Sequence, residues 1–111
     1  MLKHSPVDRV FHALGDPTRR TIVEQLCLGP ASATDLARPL GVTLAAVVQH
    51  LQVLERSGLI RTAKAGRTRM CHIELSGLHV AQQWLGLRRA LWERQLERTG
   101  SVEDLAAPPG P

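Results

Sequence analysis

The sequence has few aromatic residues and few cysteines. Aromatic side chains make up 3% of its 111 residues, there is no tyrosine, and only two cysteines are present. Two thiols cannot form the disulfide framework of a small secreted domain, and they are too few to hold a zinc ion by themselves. We therefore expect reduced thiols and a fold that depends on neither cross-links nor a bound metal.

A long hydrophobic segment is also missing. No run of 18 apolar residues occurs, and Lys3, Asp8 and Arg9 interrupt the stretch in which a signal peptide needs an unbroken apolar core. The sequence therefore predicts a cytoplasmic protein that has no membrane partner.

The composition is that of a globular protein with a basic excess. Apolar residues account for 43% of the chain and charged residues for 22%, which excludes wholesale disorder and a collagen-like chain. Fourteen Lys and Arg against ten Asp and Glu give a formal charge of +4. This excess favours a polyanionic partner, either nucleic acid or anionic lipid. The length predicts a single domain.

Apolar residues recur at helical spacing four times before residue 57. Asp16 followed by Pro17, and Thr43, are typical helix beginnings, whereas Gly15, Gly41 and Gly58 are typical ends. The predicted helices span about residues 7–14, 17–28, 33–40 and 44–56. The predicted inner face of the fourth helix consists of Leu44, Val47, Val48, Leu51 and Leu54.

Residues 59–63 and 68–75 have the composition of strands, and they flank a short turn that contains Gly66. Helical spacing returns over residues 78–99. The predicted fold class is mainly α with a small β-hairpin, in the order α-α-α-α-β-β-α of a winged helix-turn-helix. We expect residues 1–6 to be a flexible N-terminus, residues 7–99 to form the domain, and residues 100–111 to be a disordered tail.

The hairpin carries the basic excess. From Arg56 to His72 there are five Lys and Arg residues, Arg56 included, and no acidic residue. A charged hairpin tip can simply keep a protein soluble and protect an edge strand. Next to a helix-turn-helix, however, this charge favours contact with the phosphates of DNA.

The fourth helix is the predicted recognition helix, which would enter the major groove. With Leu51 facing inward, helical geometry turns Ala45, Ala46, Gln49, Gln52, Val53 and Arg56 outward and leaves His50 at the border. Glutamine can bond adenine, and alanine can contact the thymine methyl group. We expect the base of the hairpin to cover Val53. The predicted DNA-binding residues are Thr43, Ala45, Ala46, Gln49, His50, Gln52, Lys64, Arg67 and Arg69.

Residues 11–20 (Phe-His-Ala-Leu-Gly-Asp-Pro-Thr-Arg-Arg), together with residues 33–37, 49–54 and 58–60, resemble ArsR/SmtB-type winged-helix repressors. The resemblance is closest to the autorepressor-like branch that lacks metal-site cysteines. It implies a homodimer, built by the first and last helices, that binds an imperfect palindrome in double-stranded DNA. Apolar residues exceed what one small core needs, and the predicted dimer interface consists of Val10, Phe11, Leu14, Leu85, Trp92 and Leu96.

One departure from that family concerns the start of the recognition helix. Family members often have polar residues there, whereas this chain has Leu44, Ala45, Ala46 and Val48. Direct readout of bases is therefore predicted to depend on Gln49, His50 and the shape of the DNA.

The metal sites that the family resemblance would imply have no ligands here. One site uses a Cys-x-Cys pair, but residues 33–37 contain neither cysteine nor histidine. The other uses an Asp-x-His pair on the last helix, where His79 has no such aspartate. The remaining histidines are not spaced as a ligand cluster. We therefore expect no metal and no cofactor.

The two cysteines are expected to be buried, Cys27 beside Leu26 and Cys71 on the same strand face as Ile73 and Leu75. Catalysis is not expected, because Cys71 and His72 are neighbours on a strand and point to opposite faces. Two alternatives remain open for the function. One is a thiol-based redox-sensing repressor, and the other is a winged-helix module that binds another protein.

Overall fold

The computed structural model describes residues 5–100. The described chain forms two compact units, of which the first ends at Ala81 and the second begins at Gln82. Most of the predicted flexible N-terminus, including His4, and nearly all of the predicted tail lie outside the described residues. The division into a domain at residues 7–99 and two flexible ends stays a prediction.

The order of elements confirms a mainly helical winged helix-turn-helix. A two-residue strand before the third helix was not predicted, because so short a strand exists only through its pairing with a distant one. The last helix begins three residues before its predicted start. The elements are α1 (Pro6–Leu14), α2 (Pro17–Cys27), β1 (Ala31–Ser32), α3 (Ala33–Leu40), α4 (Leu44–Arg56), β2 (Ile60–Ala65), β3 (Thr68–Ile73) and α5 (Leu75–Thr99).

Side-chain caps set where the first four helices begin. Ser5, Asp16, Ser32 and Thr43 each accept a hydrogen bond from the backbone N–H three residues later. Such bonds satisfy amide groups that have no partner within the helix. At Asp16 the bond from the Arg19 backbone N–H measures 3.0 Å, and it holds the pKa of the carboxyl below its usual value.

The sheet has three antiparallel strands in the order β1-β3-β2. Its central strand, β3, pairs Cys71 with Ala31 on one side and with Thr62 on the other. Gly66 adopts a φ of 65° in the turn between β2 and β3, a conformation that favours glycine. Together β2, β3 and their turn form the wing.

The core lies in the first unit and consists of aliphatic side chains and the thiol of Cys71. Val10 is fully buried there, so the prediction that Val10 contributes to a dimer interface is wrong, since it has no surface left for a partner. Leu75 is also not buried with Cys71, because the chain has already turned into α5 at that position. The buried apolar residues are Val10, Ala13, Ile22, Val23, Leu26, Leu36, Val47, Leu51, Leu54, Leu59, Ile60, Cys71 and Ala81.

The two cysteines differ in exposure. Cys71 is buried as expected, and this burial, together with the charge of Glu55, raises the pKa of its thiol. Cys27 is exposed, which corrects the expectation of burial. It is the last residue of α2, and the side chain that faces the core there is Leu26.

Two glycines allow the turn after α4 to touch the first turn of α5. The backbone N–H of Gly77 donates to the carbonyl oxygen of Gly58 at 2.8 Å, and Gly58 has a φ of 79°. A Cβ atom on Gly77 would lie 2.6 Å from that same oxygen, so no larger residue fits. Glu74 adds a second bond, to the carbonyl of Leu59 at 2.9 Å. The end of α4 and the beginning of β2 are thereby both bonded to residues 74–77, at the start of α5.

The second unit contains the remainder of α5. Arg89 and Glu93 form an ion pair at 2.8 Å on one face, and the Arg88 guanidinium stacks over the Trp84 ring at 4.1 Å. Within residues 5–100, no helix is both long enough and apolar enough to cross a bilayer.

Candidate nucleic-acid interface

The helix-turn-helix consists of α3, a short turn and α4. Gly41 ends α3 with a left-handed φ of 65°, and Thr43 begins α4 by accepting a bond from the Ala46 N–H at 3.1 Å. The turn is short because a glycine that can reverse the chain lies only two residues before a capping residue. This arrangement places the beginning of α4 at the surface.

The exposed face of α4 is rotated from the predicted one. Leu44 and Val48, which were predicted to face inward, are 50% and 38% exposed. Ala46 and Val53, which were predicted to face outward, are only half exposed. The exposed residues of the helix are Leu44, Ala45, Val48, Gln49, Gln52, Glu55 and Arg56.

Contacts with α2 and α1 explain the rotation. Nη1 of Arg19, on α2, lies 3.4 Å from Nδ1 of His50, which turns this histidine toward the helices. Val53 lines a groove of about 480 Å³ together with Arg9 and His12 of α1. The expectation that the base of the wing covers Val53 stays a prediction, whereas α1 lies on the side of the groove. Periodicity within a single helix cannot show from which sides other helices pack.

A chain of hydrogen bonds joins the end of α4 to both strands of the wing. Nε of Arg69 donates to Oγ1 of Thr62 at 3.0 Å, and that hydroxyl donates to a carboxylate oxygen of Glu55 at 3.0 Å. The contact orients the Arg69 side chain and couples the wing to α4. This role of Glu55 was not predicted, because an acidic residue near a basic hairpin gives no signal for the bond.

The wing groups its predicted DNA contacts at one end. Lys64 pairs with Arg69 across the two strands, and Arg67 follows Gly66 in the turn. All three side chains are exposed. Alone, such a cluster is a solvated hairpin tip, but here it belongs to the same compact unit as α4.

The predicted DNA-binding residues fall into three groups. Ala45, Gln49 and Gln52 share the exposed face of α4, with Thr43 at its beginning. Ala46 and His50 are half-buried and turn toward the side on which the other helices pack. The wing supplies the third group, which consists of Lys64, Arg67 and Arg69.

Possible metal ligands are scattered over the described residues. Within residues 5–100, no three side chains of His, Cys, Asp or Glu come together in a group that could hold a metal ion.

Comparison with known proteins agrees with this architecture. The family model described as "Helix-turn-helix domain" matches residues 14–63. A crystal structure titled ArsR family transcriptional regulator, RHA00566, is 41% identical and covers 79% of this chain and 91% of its own, with a TM-score of 0.74. The chain belongs to the ArsR family. This is a family of transcriptional regulators, not of enzymes.

Two further relatives of this ArsR-family chain come from mycobacteria. The HTH-type transcriptional regulator Rv2034 of Mycobacterium tuberculosis is 45% identical over 71 residues, which span 64% of this chain and 66% of Rv2034. The solution structure of Mb0332 from Mycobacterium bovis is titled a homodimeric winged helix-turn-helix DNA-binding domain. It is 25% identical and covers 83% of each chain, with a TM-score of 0.62.

In this ArsR-family protein, residues 11–20 form the junction between α1 and α2, where two arginines bind the end of α1. The guanidinium groups of Arg19 and Arg20 donate three hydrogen bonds to carbonyl oxygens at the end of α1, at 2.7 to 3.0 Å. Carbonyls at a helix end have no partner within the helix. The two arginines therefore hold α1 against α2, and their charges are already engaged within the protein.

Proposed function

We propose that this protein is a homodimeric repressor that binds a palindromic operator in double-stranded DNA, with α4 in the major groove and the wing on the flanking backbone or minor groove. The observation that carries the proposal is the pairing of an exposed α4 face with a basic wing in one compact unit. A recognition helix and an adjacent hairpin are the two elements with which winged helices contact DNA. Repression follows when the bound protein occupies the promoter.

The charge of the wing supports DNA over a protein partner. Lys and Arg side chains that neutralise phosphates release condensed counterions, so DNA binding weakens steeply as salt rises. A module that used α4 to bind another protein would lack that dependence on DNA phosphates. The salt dependence of DNA binding therefore distinguishes a DNA-binding regulator from a protein-binding module.

Replacing Arg67 by alanine is expected to weaken binding to specific and to random DNA by similar factors. The slope of log K against log salt should also fall by about one for one lost phosphate contact. Gel shifts of both duplexes at several salt concentrations measure this. Arg98→Ala is the matched control, because Arg98 lies in the second unit, on the face of α5 opposite Leu85 and Trp92, and bonds Gln95. A loss confined to the specific duplex would show that Arg67 reads bases.

The exposed apolar residues of α5 support a homodimer. Gly77 and Ala81 are the only buried residues of this 25-residue helix. Leu85 and Trp92 are 54% and 43% exposed, Leu96 is half-buried, and Phe11 on α1 is exposed as well. Leu14 packs partly against the core of its own chain. Mb0332 is titled homodimeric, and a two-fold dimer would place two recognition helices roughly 34 to 36 Å apart, one turn of DNA.

Sedimentation at micromolar concentration is expected to give a particle of twice the 12.2 kDa chain mass. The Leu85→Ala/Trp92→Ala variant should shift the equilibrium toward the monomer, because it removes apolar area that only a partner can cover. Leu28→Ala, at an exposed leucine outside the proposed interface, should leave the dimer intact. A wild-type protein that sediments as a monomer would contradict the proposal.

We further propose that this regulator belongs to the branch of the family without metal-site cysteines. The stretch at residues 33–37 lies on α3 and carries no thiol or imidazole. A redox-sensing role gains no support from Cys71, because burial raises the pKa of its thiol and the thiolate is the reactive form.

A further inference from the structure

Exposed aliphatic side chains lie at the beginning of the recognition helix. Leu44 is 50% exposed and Val48 is 38% exposed, although Val47 beside them is fully buried. Ala45 is exposed on the neighbouring row of the same helix. These positions form a strip of methyl groups that the core of this chain does not use. We call Leu44, Ala45 and Val48 the methyl strip.

The methyl strip lies beside the glutamine side chain of Gln49 on α4. Leu44 and Val48 are one helical turn apart, and so are Ala45 and Gln49. The strip therefore occupies the N-terminal half of the helix, which is the part that contacts base edges when such a helix lies in the major groove. Val48 and Gln49 are adjacent in sequence and both exposed, so an apolar and an amide side chain lie next to each other on this surface.

The major groove offers one apolar group, the C5 methyl of thymine, whereas the other groups on its base edges are hydrogen-bond donors and acceptors. We propose that Leu44 and Val48 recognise thymine methyl groups, so that each half-site carries thymines opposite the start of α4. This inference rests on the proposed function, because it assigns the DNA sequence class that the same surface selects. Gln49, which can bond adenine at N6 and N7, favours the same A·T pairs.

The charge of the surrounding surface favours DNA as the occupant of the strip. The wing, which Glu55 and Thr62 connect to α4, presents Lys64, Arg67 and Arg69. A protein partner for an apolar strip would not require these cations. If Leu44 and Val48 contact only solvent in the complex, thymine methyl groups have no effect on affinity, and the experiment below detects this.

The test begins with selection of DNA by the wild-type full-length chain from a library of random duplexes. The selected duplex is then synthesised with deoxyuridine in place of thymine, one position at a time, so that only a methyl group is lost. We expect about a four-fold loss of affinity for each methyl that the strip contacts, from the known contribution of one buried methylene-sized group. Thymines elsewhere in the duplex should show no change.

The Leu44→Ala/Val48→Ala variant completes a double-mutant cycle with the DNA. On this variant, deoxyuridine at the sensitive positions should cost less than about two-fold, because both sides of the contact are already missing. Leu28→Ala is the matched control, because Leu28 caps the end of α2 and is 84% exposed. This variant should still lose about four-fold in affinity when deoxyuridine replaces a sensitive thymine. All three proteins should have the same helical circular dichroism, since the substituted side chains lie outside the core.

The outcomes separate the inference from the proposed function. Two results would overturn the inference and leave the proposed function in place. In one, the protein selects a palindrome but binds it equally tightly with thymine or deoxyuridine. In the other, deoxyuridine lowers the affinity of the wild type and of the variant by the same factor. Selection without any shared sequence would overturn sequence-specific binding, and the inference with it.

Discussion

Replacing Gly77 by alanine is expected to lower the free energy of unfolding by about 1 to 3 kcal/mol, the usual cost of forcing an extra methyl group into a filled space. The new Cβ would lie 2.6 Å from the Gly58 carbonyl oxygen and 2.8 Å from the Leu59 nitrogen. Both are backbone atoms, so no side chain can rotate away. Thermal and chemical unfolding of the variant, followed by circular dichroism, measure the loss.

Gly86→Ala is the matched control for this variant. Gly86 lies in the same helix, but a Cβ atom there would meet nothing within 4 Å. Alanine has the higher helix propensity, so this substitution should stabilise the protein by up to about 1 kcal/mol. Equal stability changes for the two variants would show that the contact between Gly58 and Gly77 does not hold the start of α5.

Gln49→Ala is expected to cost about 1 to 3 kcal/mol of binding free energy on the selected duplex and much less on random DNA. A glutamine that bonds the edge of an adenine carries sequence information, whereas a phosphate contact does not. Gel shifts or fluorescence anisotropy on the two duplexes measure the difference. Gln25→Ala, at an exposed glutamine of α2, should change neither affinity.

The loss expected for Gln49→Ala is confined mainly to the selected duplex, whereas the loss expected for Arg67→Ala is similar on both duplexes. Equal losses on both duplexes after Gln49→Ala would mean that this side chain contacts the backbone. His50 was the other predicted reader, but its ring faces Arg19 at 3.4 Å. We therefore expect Gln49 to contribute more to specificity than His50.

Local sequence features were enough to predict most of the helices and the wing. Asp16 with Pro17, and Thr43, are capping residues whose side chains act on amides three residues away, so their effect is readable from the sequence. Gly66 likewise marks the hairpin turn by its own conformation. The family resemblance also rested on contiguous blocks, and the match to an ArsR-family structure confirms it.

The tertiary structure alone decided which face of α4 is exposed. The periodicity of α4 identified Val47, Leu51 and Leu54 as core residues, and all three are buried. It could not show that α1 and α2 pack on the flank that holds His50 and Val53, which turns Leu44 and Val48 outward. Packing between distant segments leaves no trace in the spacing of a single helix, and the same reason hid β1 and the burial of Val10.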